Sequence, residues 1–196
     1  MVMKKDIKER ILNAAMRLFS KKGFFETTVD EISRSAKIAK GTVYLYFKDK
    51  SDIYIAIIEN QLNSALKDIA EVNSKNLTST EKLRLIASEW LTRSIEFHRL
   101  FPMVSMENIN QALKLMKEIK QRVFPVISRI ISEISNIIKG GIENGEFKQV
   151  NPKVAALCYL NIIRIPFLAK MFAGEKFSCC DEILELYFNG LINKKE

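Results

Sequence analysis

Apolar residues recur at helical spacing along most of the chain. Ile7, Ile11, Ala14, Ala15, Leu18 and Phe19 fall on one face of a first helix, with Lys8, Arg10, Arg17 and Lys21 largely off it. Gly23 supplies the flexible residue that commonly ends a helix. Thr28-Val29-Asp30-Glu31 reads as a capping box, in which the Thr28 hydroxyl accepts the Glu31 amide and the Glu31 carboxylate reaches back. A short helix to about Ala36 follows, then Lys37-Ile38, then a second short helix from about Lys40 to Phe47. Asp49 caps the next helix, and Asp52 adds negative charge to its first turn, where the helix dipole favours it.

Longer helices come next. Lys50 to about Val72 carries Ile53, Ile57, Ile58, Leu62, Leu66 and Ile69, and Asn73 to Thr78 is a polar break. Thr80 to Phe97 carries Leu83, Ile86, Ala87, Trp90, Leu91 and Ile95. After a break near His98–Pro102 and a short element over Met103–Ile109, Gln111 to Asn144 forms a long stripe, bent at Pro125 and closed by Gly145. Asn151-Pro152 opens an apolar helix to Ala173, bent at Pro166, and Asp181 to Asn193 forms the last one. With only seven Gly and four Pro in 196 residues, turn-makers are scarce and the fold class is all-α.

Val154 to Phe172 has close to the length of a membrane span. It also contains Asn161, Arg164, Pro166 and Lys170, so a helix buried against a partner subunit explains it better, with no membrane partner.

Charge changes the picture. The chain carries 31 Lys+Arg against 23 Asp+Glu, but residues 1–50 hold 12 against 6, a net +6 of the total +8. The basic excess admits nucleic acid, an anionic membrane surface or an acidic partner; its concentration in the first 50 residues selects that segment as the functional one. Composition shifts to balanced near residue 50, which divides the chain into domains 1–50 and 51–196. Three cysteines (Cys158, Cys179, Cys180) form no disulfide framework and no zinc spacing, in keeping with a cytoplasmic protein without metal or cofactor. No G-x-S-x-G elbow, phosphate-binding glycine loop or HExxH motif is present, and His98 is the only histidine, so the competing class, an enzyme, is not expected.

Two short helices joined by a tight turn, with a supporting helix before them, make a helix-turn-helix. Lys40 lies at a helix start, and Gly41, a residue costing about 1 kcal/mol inside a helix, makes sense where DNA approaches closely. Tyr44 and Tyr46 offer hydroxyls, while Val43 and Phe47 face a small core. A small helical subdomain with an exposed basic face would show the same spacing.

These positions resemble the tetracycline-repressor (TetR) family of bacterial transcriptional regulators. The resemblance covers residues 7 to about 54. It rests on Ile11, Ala14-Ala15, Leu18-Phe19, Gly23-Phe24, Thr27-Thr28-Val29, Glu31-Ile32, Ala36, Ile38, Lys40-Gly41-Thr42, Tyr44, Tyr46-Phe47 and Lys50. Gly141 to Phe147 followed by Pro152 more loosely resembles a family junction before the last two helices. The resemblance implies a three-helix DNA-binding domain followed by a roughly six-helix ligand-binding and dimerisation domain. It also implies a homodimer on a palindromic double-stranded DNA operator, released by a small-molecule effector. By the same resemblance Thr28, Lys40, Gly41, Tyr44, Tyr46 and Lys50 contact DNA, with Thr28, Tyr46 and Lys50 on phosphates. Base reading then falls to Lys37, Ala39, Thr42 and Leu45, and Leu45 stands where an aromatic residue is common.

The resemblance places the last two helices in a dimer bundle, and Leu157, Leu160, Ile163, Phe167, Leu168, Leu184, Tyr187, Phe188 and Leu191 carry more apolar surface than one edge hides. Trp90, Phe97, Phe101, Met103, Met106, Met116, Phe124, Phe167 and Met171 are the expected lining of a hydrophobic effector pocket, although Met and Phe at this spacing equally suit a core. A non-specific nucleic-acid binder and a transcriptional activator are the alternatives to a repressor.

Overall fold

Local side-chain chemistry sets most of the helix ends. The structure, a computed structural model, describes residues 2–98, 109–163, 165 and 180–192, which contain eight helices. Helix α1 (Val2–Lys22) stops at Gly23, whose φ of 86° lets its amide return to the Phe19 carbonyl at 2.9 Å. Helix α2 (Val29–Ala36) starts on the Thr28–Glu31 capping box, with both reciprocal bonds formed. Helix α3 (Lys40–Tyr46) follows a three-residue turn. Helix α4 (Lys50–Asn73) is capped by Asp49, whose Oδ1 accepts the Asp52 amide at 2.9 Å.

Helix α5 (Ser79–His98) begins on a second capping box, Thr78–Glu81, which the sequence reading passed over. A distant carboxylate completes it: Glu146 accepts the amides of Ser79 and Thr80, each at 3.0 Å. Helix α6 (Ile109–Glu143) runs through Pro125 and is closed just beyond its end by Gly145, φ 75°. Helix α7 (Pro152–Ile162) has Pro at its first position and Asn151 as cap. Its described part ends earlier than the expected Ala173; residues 164 and 166–179 lie outside the described part of the chain. The short element expected over Met103–Ile109 lies outside it too, apart from Ile109, which opens α6. Helix α8 (Cys180–Leu191) is followed by an isolated antiparallel bridge between Phe147 and Ile192. Among the described residues no helix is long and apolar enough to cross a membrane.

Packing divides the chain into two compact units. One joins the chain up to Leu62 with the stretch ending at Val126; the other joins Asn63–His98 with the chain from Ile127 onward. The first extends past the change of composition at residue 50 because packing follows buried side chains. Tyr54 is fully buried, with its ring 5.0 Å from Phe24 and 5.7 Å from Phe19. Burial of each such side chain contributes about 1.5–3 kcal/mol. In the second unit the buried Tyr159 hydroxyl donates to the Leu83 carbonyl at 2.6 Å, and Tyr187 donates to the Ala155 carbonyl at 3.0 Å. These bonds satisfy two phenols that would otherwise be costly inside a core.

Candidate nucleic-acid interface

The recognition element is positioned by what it buries. Val43 is wholly buried and Phe47 nearly so, which turns one face of α3 into the core, against α2. The opposite face is left to solvent: Leu45 is 83% exposed, Tyr44 is half-exposed, and Ala39, Lys40 and Gly41 are exposed. Thr42 and Tyr46 are intermediate. An 83%-exposed leucine gains little from folding, so the chain's own core does not explain its presence. Nor does the chain require glycine at 41, since a Cβ there would meet nothing within 4 Å.

Charged groups around this face are mostly tied to neighbours. Lys40 Nζ pairs with Asp30 Oδ1 at 2.8 Å, and the carboxylate raises the ammonium pKa. Lys22 pairs with Glu31, which also caps α2 through Thr28; the two partners hold the Glu31 carboxyl down at about 2. Thr28 is exposed, and its hydroxyl donates to Glu31 at 2.8 Å. Lys50 is turned inward: its ammonium donates to the Phe25 carbonyl at 3.0 Å and lies 4.5 Å from the centre of the Phe24 ring. Desolvation lowers its pKa. Lys37 is exposed in the turn between α2 and α3.

Two interactions escaped the reading of the sequence, one made by Arg10 and one by Arg122. Arg10, on α1, donates to the Ala36 and Lys37 carbonyls at 2.9 and 3.2 Å and so clamps the turn. Arg122, on α6, grips Glu59 with two bonds of 2.9 and 2.6 Å and Asp52 with one of 2.6 Å. Asp52 in turn accepts the Lys48 amide at 3.1 Å, just beyond the recognition helix. The i,i+7 spacing of Asp52 and Glu59 was the available signal, and nothing local announced their partner.

The expected effector lining is only partly visible. Phe101, Met103, Met106, Phe167 and Met171 lie outside the described residues, as does the Phe97 side chain. Trp90 is half-buried and donates its indole N–H to Asp68 at 3.2 Å. Met116 and Phe124 are exposed on α6. An open groove of about 600 Å³ is lined by polar groups including Asn73, Ser79, Asn136 and Glu146, and none of the expected lining residues borders it.

The expected dimer face is redistributed by burial. Ile163, Leu184, Phe188 and Leu191 are already buried within one chain, so they add no fresh apolar surface to an interface. Leu157 is exposed, Leu160 and Tyr187 are intermediate, and Phe167 and Leu168 lie outside the described residues. Val154, Ile165 and Leu186 are further exposed apolar residues that the sequence reading left out.

A family model described as bacterial regulatory proteins, tetR family, matches residues 11–57. The fatty acid metabolism regulator protein of Bacillus subtilis (strain 168) is 25% identical over 94% of this chain and 95% of its own length. The HTH-type transcriptional regulator QacR of Staphylococcus aureus (strain Mu50) is 25% identical over 95% of this chain and 98% of its own. The crystal structure of FadR from Bacillus subtilis in complex with stearoyl-CoA shares the fold, with a TM-score of 0.75 at 23% identity, covering 93% of this chain and 98% of that one.

Proposed function

We propose that this chain, a member of the tetR family of bacterial regulatory proteins, is a cytoplasmic repressor that reads a palindromic operator as a homodimer and leaves it when a small hydrophobic effector binds. The observation that carries this reading is the recognition helix itself: Val43 and Phe47 are buried, while Leu45, Tyr44 and Gly41 stand out on the other face. That face enters the major groove. Gly41 lets the duplex approach, Tyr44 and Thr42 offer hydroxyls, and Leu45 meets apolar base-edge surface such as a thymine methyl. Lys40 exchanges its carboxylate partner for a phosphate, and Thr28, Tyr46 and Lys50 fix the register. Lys50 does so after releasing the Phe25 carbonyl, or by using its remaining N–H bonds.

The exposed residues Val154, Leu157, Ile165 and Leu186 form the apolar part of the homodimer surface. Two-fold pairing sets the reading heads about 34 Å apart, one turn of DNA. The relatives named for fatty acid metabolism and for a stearoyl-CoA complex support a long-chain acyl thioester as the first effector class to try.

Genome-wide mapping of bound DNA supplies the operator, and fluorescence anisotropy on that duplex tests the reading. Tyr44→Ala and Leu45→Ala weaken operator binding and leave the dimer intact. Stearoyl-CoA lowers operator affinity by about 5–150-fold, the usual range of allosteric coupling. Equal affinity for operator and random DNA, with a steep salt dependence, would instead identify a non-specific binder. Reporter transcription that falls on deletion of the gene would identify an activator.

A further inference from the structure

Lys37 is the only non-glycine residue at positive φ among the described residues, at 55°. Its turn is a Schellman closure: the Lys37 amide donates to the Arg34 carbonyl at 3.1 Å and the Ile38 amide to the Ser33 carbonyl at 3.0 Å. The end of α6 closes with the same two bonds, Gly145 to Ile142 at 3.1 Å and Glu146 to Gly141 at 2.8 Å, and there the left-handed residue is glycine. A Cβ in this region crowds the backbone, and lysine lacks the short polar side chain that lets Asn or Asp tolerate it. Lysine is therefore a poor structural choice at 37, and the chain compensates for it. Arg10 reaches across from α1 to the carbonyls of Ala36 and Lys37, on either side of the strained bond. The side chain so held is exposed, and among the described residues no ion pair engages it, whereas Lys40 is tied to Asp30.

We infer that Lys37 is a DNA anchor kept against its own backbone preference, and that Arg10 is the positioning residue that holds its turn and thereby the start of the recognition helix. The inference rests on the reading of the chain as an operator-binding regulator. The ammonium donates to an acceptor on the duplex, a phosphate oxygen or a base edge beside the recognition helix. A glycine would make the turn more easily but would deliver no cation.

Full-length Lys37→Gly, Lys37→Asn and Lys37→Arg test this by thermal unfolding and by anisotropy over a salt series on the mapped operator and a random duplex. Lys37→Gly raises Tm by about 2–4 °C as the strain is relieved. The same variant binds operator about 5-fold more weakly per half-site at 0.15 M salt, and its salt slope falls by about 0.9 per half-site. Lys37→Asn loses the same affinity without losing Tm, and Lys37→Arg restores the affinity. A uniform loss over all operator variants assigns a phosphate, and a loss confined to one base pair assigns a base edge. Arg10→Met lowers the operator-to-random preference while leaving the salt slope on random DNA unchanged. Unchanged affinity and slope in Lys37→Gly overturn the anchor, and a lower Tm overturns the strain. A fall in slope for Arg10→Met overturns the clamp by making Arg10 itself a phosphate contact. If the wild-type chain shows no operator preference, the parent reading fails, a result separable from all of these.

Discussion

The reading head and the corner where α5 begins beside the end of α6 are closed by the same two local devices, used to different ends. Each opens a helix on a Thr-x-x-Glu capping box, Thr28–Glu31 in the head and Thr78–Glu81 at the corner. Each closes a helix on a Schellman turn with a left-handed residue. At the corner every choice favours stability: glycine takes the left-handed site, Glu146 adds a second cap to α5, and Gly141 leaves room for the Phe147 ring. In the head several choices oppose it: lysine takes the left-handed site, glycine sits inside α3 with open space around it, and Leu45 is 83% exposed. These three residues lie in or immediately before α3, the helix assigned to DNA.

Breaking the corner produces the largest effect. A Cβ on Gly141 would lie 2.3 Å from the Phe147 ring and 2.9 Å from the Ser79 Cβ, so Gly141→Ala forces ring or helix to move. The expected loss is about 1–3 kcal/mol, read by urea unfolding, with operator affinity per folded molecule unchanged. The matching change in the head, Gly41→Ala, meets nothing within 4 Å and leaves the fold intact. Next comes Glu146→Gln, which takes a charged acceptor from the Ser79 and Thr80 amides and costs about 1–2 kcal/mol in the same measurement. An unaltered unfolding midpoint in either variant would remove the claim that the corner is built for stability.

The two regions also differed in how much of them was legible in the sequence. Gly23, Thr28–Glu31, Asp49 and Gly145 act on partners within five residues, so residue type and spacing were enough to read them. Glu146 caps a helix 66 and 67 residues earlier, and Arg122 meets Glu59 and Asp52 at separations of 63 and 70. Spacing carries no information about such pairs until the helices are docked. Burial shows the same limit: Phe188 and Leu184 looked like partner-facing surface, yet they are covered within one chain. The turn at Lys37-Ile38 was read from the spacing of its helices, but its left-handed residue was not, since lysine does not signal that conformation and the Arg10 side chain that clamps it lies on α1.

Exchanging the left-handed residues sharpens the comparison at a smaller scale. A Cβ at Gly145 meets nothing within 4 Å, so the cost of Gly145→Lys is that of its backbone conformation, about 1 kcal/mol. Combined with Lys37→Gly, the double variant recovers wild-type stability, because the two turns share no partner and their effects add. A departure from additivity in paired unfolding curves would mean that the turns are not independent copies of one device.

The smallest effect separates the two capping boxes. The Glu81 carboxyl is lowered by Thr78 alone, through backbone and hydroxyl bonds. Glu31 is lowered chiefly by Lys22 and then by Thr28, to about 2 from an ordinary 4.5. A carboxylate with a depressed folded pKa contributes stability above its unfolded value and loses it as pH falls through the folded one. The contribution of Glu31 is therefore complete at neutral pH and fades between about pH 4.5 and 2. Both carboxylates are solvent-accessible, which keeps the effect modest and weakens it in high salt. Glu31→Gln should lower stability at pH 7 and converge with wild type near pH 2, and Lys22→Met should move that convergence to higher pH. If Lys22→Met leaves the convergence where it was, the lysine adds nothing to the cap, and the head's box is equivalent to the corner's.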